Sequence, residues 1–128
     1  MRLLLDTHAF LWWLLNDPQL SPRARAEIAD PENEIVVSGA TAWEIATKYR
    51  LRKLGGIDAI AGDIAGAMIR AGFAEMPVSV RHGQHAGSWP QAHRDPFDRM
   101  LAAQSALEDV PLVTRDSAFR EFGVSTVW

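Results

Sequence analysis

In HRDPFDRML, residues 93–101, two aspartates three positions apart bracket a proline where a helical pattern begins. Asp95 precedes Pro96, the order of an N-cap and a first helical residue, which leaves Asp98 at the third helical position. An acid there either completes a capping box or is free for chemistry. Three more acids stand at comparable places. Asp6 ends the apolar run RLLL, Glu44 lies six residues past EIVVS, and Asp116 ends PLVTRD. Carboxylates gathered within a few ångströms repel one another and raise each other's pKa unless a cation neutralises them. A set of this kind is most simply a site for a hard divalent cation, Mg2+ or Mn2+, bound through oxygen. Water on such an ion has a lowered pKa and becomes a nucleophile.

For the four acids to meet, the elements around them must share one edge. RLLL (2–5) is a short buried strand, followed by a helix in THAFLWWLLN that stops at Asp17-Pro18. Ser21 and Pro22 open a second helix, PRARAEIAD, and EIVVS (34–38) is a second buried strand. GATAWEIATKYRLRKL has apolar residues at helical spacing and ends at Gly55-Gly56. Residues 57–72 make a helix of small residues and FAEMPVS a third strand, while 80–92, with His82, His85 and two glycines, is the least regular stretch. A helix over 96–109 follows, capped by Asp95, then strands in PLVTRD and VSTVW. Strands that alternate with helices and are apolar throughout predict an α/β fold, a mostly parallel sheet of about five strands with helices on both faces. In such sheets ligands bind beyond the carboxyl ends of the strands, which is where Asp6, Glu44, Asp98 and Asp116 are expected.

Composition narrows the chemistry. The chain of 128 residues has no cysteine, so disulfides, thiolate metal sites and thiol nucleophiles are excluded. Length and a 48% hydrophobic content fit a single domain over 1–128 with its own core. The net charge of −3 supplies no general positive field for nucleic acid, although a bound cation would provide one locally. LLLDTHAFLWWLL is too short to cross a bilayer and is interrupted by Asp6 and His8, so no membrane association and a cytoplasmic place are expected.

The stretches LLLDTHAFLWWL, VSGATAWEIATKYRLRKL, HRDPFDRMLAAQS and LVTRDSAF, in this order from residue 3 to 119, resemble the PIN-domain ribonucleases, and within them the VapC toxins of prokaryotic toxin–antitoxin pairs. The resemblance implies a PIN-like fold and a Mg2+- or Mn2+-dependent endoribonuclease whose acidic pocket matches Asp6, Glu44, Asp98 and Asp116. It also implies an RNA substrate, a small VapB-like antitoxin partner and a homodimer. In the family the third acid opens a helix of the form Asp-x-x-(Ile/Leu)-Ala-Ala, and DRMLAAQ puts Asp98 there. On that pattern Asp98 goes to metal and Asp95 to the cap, with a supporting or substrate role for Asp95 as the alternative.

Each of these residues also has a plainer use. Asp6 and Asp116 can be helix caps, Glu44 a solvated helix residue, and Thr7 and Thr114 partners for backbone groups rather than for carboxylates or phosphate. Arg94, Arg99 and Arg115 lie beside the acids and are candidates to grip RNA phosphates, whereas Lys48, Arg50, Arg52 and Lys53 fit a solvated helix face. His82, His85 and His93 could suggest zinc, which the glycine-containing segment and the absence of cysteine disfavour. FLWWLL is apolar all round its helix, so Trp12 and Trp13 either fill the core or line a groove for an antitoxin segment or a second subunit. A phosphoacceptor receiver domain and a binding-only domain are the competing functions; the former wants paired acids after the first strand, where only Asp6 stands.

Overall fold

A computed structural model describes residues 1–128. The elements run β1 (Arg2–Leu5), α1 (Thr7–Leu14), α2 (Pro22–Ala29), β2 (Glu34–Ser38), α3 (Gly39–Arg50), α4 (Asp58–Gly62), α5 (Ile64–Ala71), β3 (Ala74–Met76), α6 (Val80–Ser88), α7 (Pro96–Glu108), β4 (Leu112–Val113), a 3-10 turn (Ser117–Phe122) and β5 (Thr126–Val127). The strands form one sheet in the order β3-β2-β1-β4-β5, and every neighbouring pair is parallel.

β1 is central, and its sequence shows why. Leu3, Leu4 and Leu5 are all fully buried. Successive side chains of a strand point to opposite faces, so a strand covered on both sides must be apolar at every position. Leu3 and Leu5 pack with Phe10, Val37 and Ile45 on one face, and Leu4 packs with Val36, Leu101 and Leu112 on the other. Each such side chain contributes about 1.5–3 kcal/mol of transfer free energy. Chain order reverses on either side of β1: β2 and β3 extend the sheet one way, β4 and β5 the other. The crevice outside the carboxyl ends of β1 and β4 is therefore the topological switch point.

Three expectations need correction. Residues 80–92 are not irregular: α6 fills Val80–Ser88, started by a capping box in which Ser79 Oγ accepts from the His82 N–H and His82 Nδ1 accepts from the Ser79 N–H. A histidine in the glutamate position of that box is why the sequence pattern missed it. The single helix expected over 57–72 is two, α4 and α5, broken at Asp63, whose side chain caps the second through the Gly66 N–H. α3 ends at Arg50 rather than near Gly55, because Arg52 takes a left-handed conformation, φ 59°. No helix is long and apolar enough to cross a membrane.

Candidate active site

Parallel strands all end at one edge, and the chain delivers the four acids to it. Asp6 and Asp116 follow β1 and β4 directly, and Glu44 lies in the second turn of α3 after β2. α7 leads into the start of β4, so its own start, with Asp98, lies at the opposite, carboxyl edge.

Asp6 is buried at the switch point. One carboxylate oxygen caps α1, accepting from the Ala9 N–H at 2.8 Å, and the other accepts from the Thr114 hydroxyl at 2.6 Å. Burial pushes its carboxyl above the usual range; the Thr114 and Ala9 hydrogen bonds and the charge of His8 pull it down, and the Glu44 charge pushes it up. Glu44 is buried too, held by the Thr7 hydroxyl at 2.5 Å and by the Lys48 ammonium one helical turn on. Thr7 and Thr114 thus spend their hydroxyls on carboxylates.

Asp98 stands apart from the cap of its helix. Asp95 does the capping, its Oδ1 accepting from the N–H groups of Phe97 at 2.9 Å and Asp98 at 3.2 Å. The Asp98 side chain instead meets His93 Nε2 at 3.1 Å. Its carboxyl is pushed up to about 6, first by burial, then by the charges of Asp95 and Glu44, against the lowering effect of His93. Glu44 therefore sits electrostatically between Asp6 and Asp98. Lys48 is the cation among them: burial alone would lower its pKa, but its contact with Glu44, with the charges of Asp95 and Asp98 behind it, raises it.

Asp116 is placed differently. It is exposed, its side chain caps the 3-10 turn through the Ala118 N–H at 2.9 Å, and its own N–H donates to the Thr114 hydroxyl. It reaches the cluster only through Thr114. The chemistry of the donor set fits a hard cation: three coupled carboxylates, two of them with raised pKa, and a single ammonium among them. No three of them close on one point, however; Glu44 is turned to Lys48 and Asp98 to His93. Asp6, Glu44 and Asp98 match the cation chemistry, and Asp116 does so less directly.

Other expected residues have other occupations. Arg99 donates to the carbonyls of Ala86, Gln91, His93 and Trp89 at 2.6–2.9 Å, so its guanidinium ties down the segment before α7 rather than facing outward. Arg94 is exposed. Arg115 lies over the Trp12 ring, 4.6 Å from its centroid. Trp12 is covered within the chain by Arg115, Trp128 and His8. Trp13 instead borders an apolar cavity of about 330 Å³ with Leu14, Ile60 and Ala71. The histidines do not converge: His82 Nε2 meets Glu108, His85 stacks on Trp89, and His93 serves Asp98.

Sequence reasoning missed Lys48 and His93. Lys48 stands four residues after Glu44, a helical ion-pair spacing that was visible. Nothing local announces His93, which reaches Asp98 across a proline-containing bend.

The chain matches the PIN domain over residues 3–124. It is 39% identical over 61 residues to ribonuclease VapC16 of Mycobacterium tuberculosis, a match spanning 48% of this chain and 43% of that protein, so less than half of the relative is covered. Among solved structures it resembles VapBC2 from Rickettsia felis bound to a promoter DNA fragment, with a TM-score of 0.72, 15% identity, and 99% and 98% of the two chains covered. VapC20 of Mycobacterium tuberculosis, a sarcin-ricin loop cleaving toxin, has a TM-score of 0.67 and 16% identity, with 98% of each chain covered. At these identities the structural likeness speaks for the fold alone. With the profile spanning nearly all of its length, the chain belongs to the PIN domain family.

Proposed function

We propose that residues 1–128 act as a single PIN domain with Mg2+- or Mn2+-dependent endoribonuclease activity, serving in the cytoplasm as the toxin of a toxin–antitoxin pair. The observation that carries this is the coupled set Asp6, Glu44 and Asp98 at the switch point of a PIN sheet, with burial and mutual repulsion raising two of the three. In this reading Asp6, Glu44 and Asp98 hold the cation and Asp116 assists. When bound, the divalent ion supplies a lowered pKa for water and a counter-charge for the leaving oxygen. The chain does the rest. Thr114 and Thr7, at the strand ends, fix the carboxylates of Asp6 and Glu44. His93 orients Asp98, and Lys48 neutralises Glu44 until the site fills. Hydrolysis leaves a 5′-phosphate and a 3′-hydroxyl and needs no histidine nucleophile.

The partners follow from the same reading. The relative named above is a ribonuclease and the Rickettsia structure is a VapBC complex, which supports a small VapB-like antitoxin here; a homodimer belongs to the same proposal. The apolar cavity beside Trp13, rimmed by Arg70, suits an antitoxin segment with apolar and acidic side chains.

The test is cleavage of total cellular RNA by the purified protein with Mg2+ or Mn2+, with chelator, and with Asp6→Asn or Asp98→Asn. Discrete products are expected that vanish with chelator and fall at least a hundredfold in each variant. If Asp98→Asn cuts normally, the metal role moves to Asp95; if the wild-type protein cuts nothing, the nuclease reading is lost.

A further inference from the structure

On the β4–β5 side of the acids, a cavity of about 320 Å³ opens between the first turn of α2, the segment after β4 and the end of β5. Three arginines from separate stretches line it: Arg23, Arg115 and Arg120. The hydroxyls of Ser117 and Thr126 join them, with Asp116 as the one carboxylate and Trp128 as the one hydrophobic residue. None of the three guanidiniums is paired with a carboxylate or donates a hydrogen bond within the chain, whereas those of Arg25 and Arg99 do donate within it. Each guanidinium carries five N–H donors in a planar fork. In a chain of net charge −3, three forks without a carboxylate partner around one cavity are a local excess of positive charge.

The backbone that carries the three arginines is fixed, and one of the side chains is fixed as well. Arg115 rests on the Trp12 ring, which Trp128 supports edge-on at 5.9 Å between centroids. Arg23 rises from the first turn of α2, whose cap Ser21 accepts from the Ala24 N–H at 3.0 Å. Arg120 sits in the 3-10 turn that Asp116 caps. The cavity is also joined to the acids. Thr114 lines it, and the Thr114 hydroxyl donates to Asp6. Arg forks match phosphate bidentately, and Thr114 makes the cavity adjacent to Asp6.

We propose that Arg23, Arg115 and Arg120 form the subsite that grips the RNA phosphodiester backbone next to the bond being cut. This rests on the ribonuclease reading above and adds where the substrate lies: across the β4–β5 side of the sheet edge. The mostly polar lining favours a phosphate chain over an amphipathic protein segment.

The salt dependence of binding counts phosphate contacts, since each one on a single strand contributes about 0.7 to the slope of log K against log salt. Binding of a labelled single-stranded RNA would be followed by fluorescence anisotropy with Mg2+ from about 50 to 200 mM salt, in an Asp6→Asn background that does not cut. Arg23→Ala/Arg120→Ala, both at exposed positions, is expected to flatten the slope by about 1.4 and to raise Kd at least tenfold at low salt. Arg50→Ala/Lys53→Ala removes the same charge at the far end of α3 and is expected to leave the slope alone. Equal slopes in all three proteins, or equal losses in both double variants, would overturn the subsite. So would a double variant that keeps its RNA slope but loses binding of poly-glutamate, which would assign the cavity to an acidic protein segment. If the wild-type protein neither cuts nor binds RNA, the ribonuclease reading fails and the subsite with it; if it cuts and the slope is unmoved, only the subsite fails.

Discussion

Asp98 costs the free protein stability at neutral pH. Its carboxyl is pushed from 3.8 to about 6 by burial and by the neighbouring charges of Asp95 and Glu44. Below pH 3.8 the group is protonated in folded and unfolded chains alike, and it costs nothing. Between 3.8 and about 6 the unfolded chain ionises first, so stability falls as pH rises, and the full penalty is present above 6. Asp98→Asn keeps an oxygen for His93 and removes the charge. In chelator it is expected to stabilise the protein at pH 7.5 by about 1 kcal/mol, less than the shift in full would carry because the side chain keeps some solvent contact. At pH 4 the gain should be nearly absent. Urea midpoints at the two pH values measure this, and a gain of the same size at both would mean that repulsion is not the cause. The acids themselves were legible in the sequence because their places follow from local rules: an acid that ends a buried strand or opens a helix is visible in a dozen residues. Thr7 and Thr114 were legible as strand-end hydroxyls able to serve carboxylates or backbone alike, but which acid each holds was not, since Thr114 meets Asp6 across 108 positions of chain.

Elements show the same division between local and distant causes. The strands in RLLL and EIVVS and the capped start of α7 were legible because apolar runs and an Asp-Pro cap act within a few residues. α6 was not, because its cap uses His82 and its packing is against α7. The segment between α6 and α7 is organised by one side chain from the far side of it. Arg99 binds three carbonyls there and that of Ala86 in α6 with a charged donor, and His93 is among the residues it fixes. Arg99→Lys keeps the charge but not the fork. Hydrogen bonds to charged groups are worth about 1.5–3 kcal/mol each, and a lysine can replace at most one or two of them. A loss of at least about 3 kcal/mol is expected in urea unfolding, with reduced cutting because His93 no longer orients Asp98. If Arg99 instead faced substrate, Arg99→Lys would weaken RNA binding without moving the midpoint.

At the scale of the molecule, the sheet is held by two apolar layers, while its carboxyl edge collects repulsion that folding does not relieve. Leu3 to Leu5 anchor β1 between those layers, and Asp6, the very next residue, is carried into a site where burial opposes its charge. Strand order was beyond the sequence, since β4 and β5 are two residues long and any parallel neighbour would satisfy them. The stored repulsion makes fold stability report on the cation. A ligand that binds the folded chain alone adds about 2.7 kcal/mol at a hundredfold excess over Kd. For a chain of this size that corresponds to a rise of roughly 10 °C in Tm. Mg2+ or Mn2+ is therefore expected to raise Tm well above the effect of NaCl at matched ionic strength. Asp6→Asn/Asp98→Asn should abolish the rise while starting from a higher Tm in chelator. Protons compete for the same oxygens, so the rise should shrink as pH falls below 6, where Asp98 takes up its proton. A Tm that Mg2+ and Mn2+ leave unmoved at pH 7.5 would mean that the edge relieves its repulsion through Lys48 alone, and that the acids serve something other than a metal.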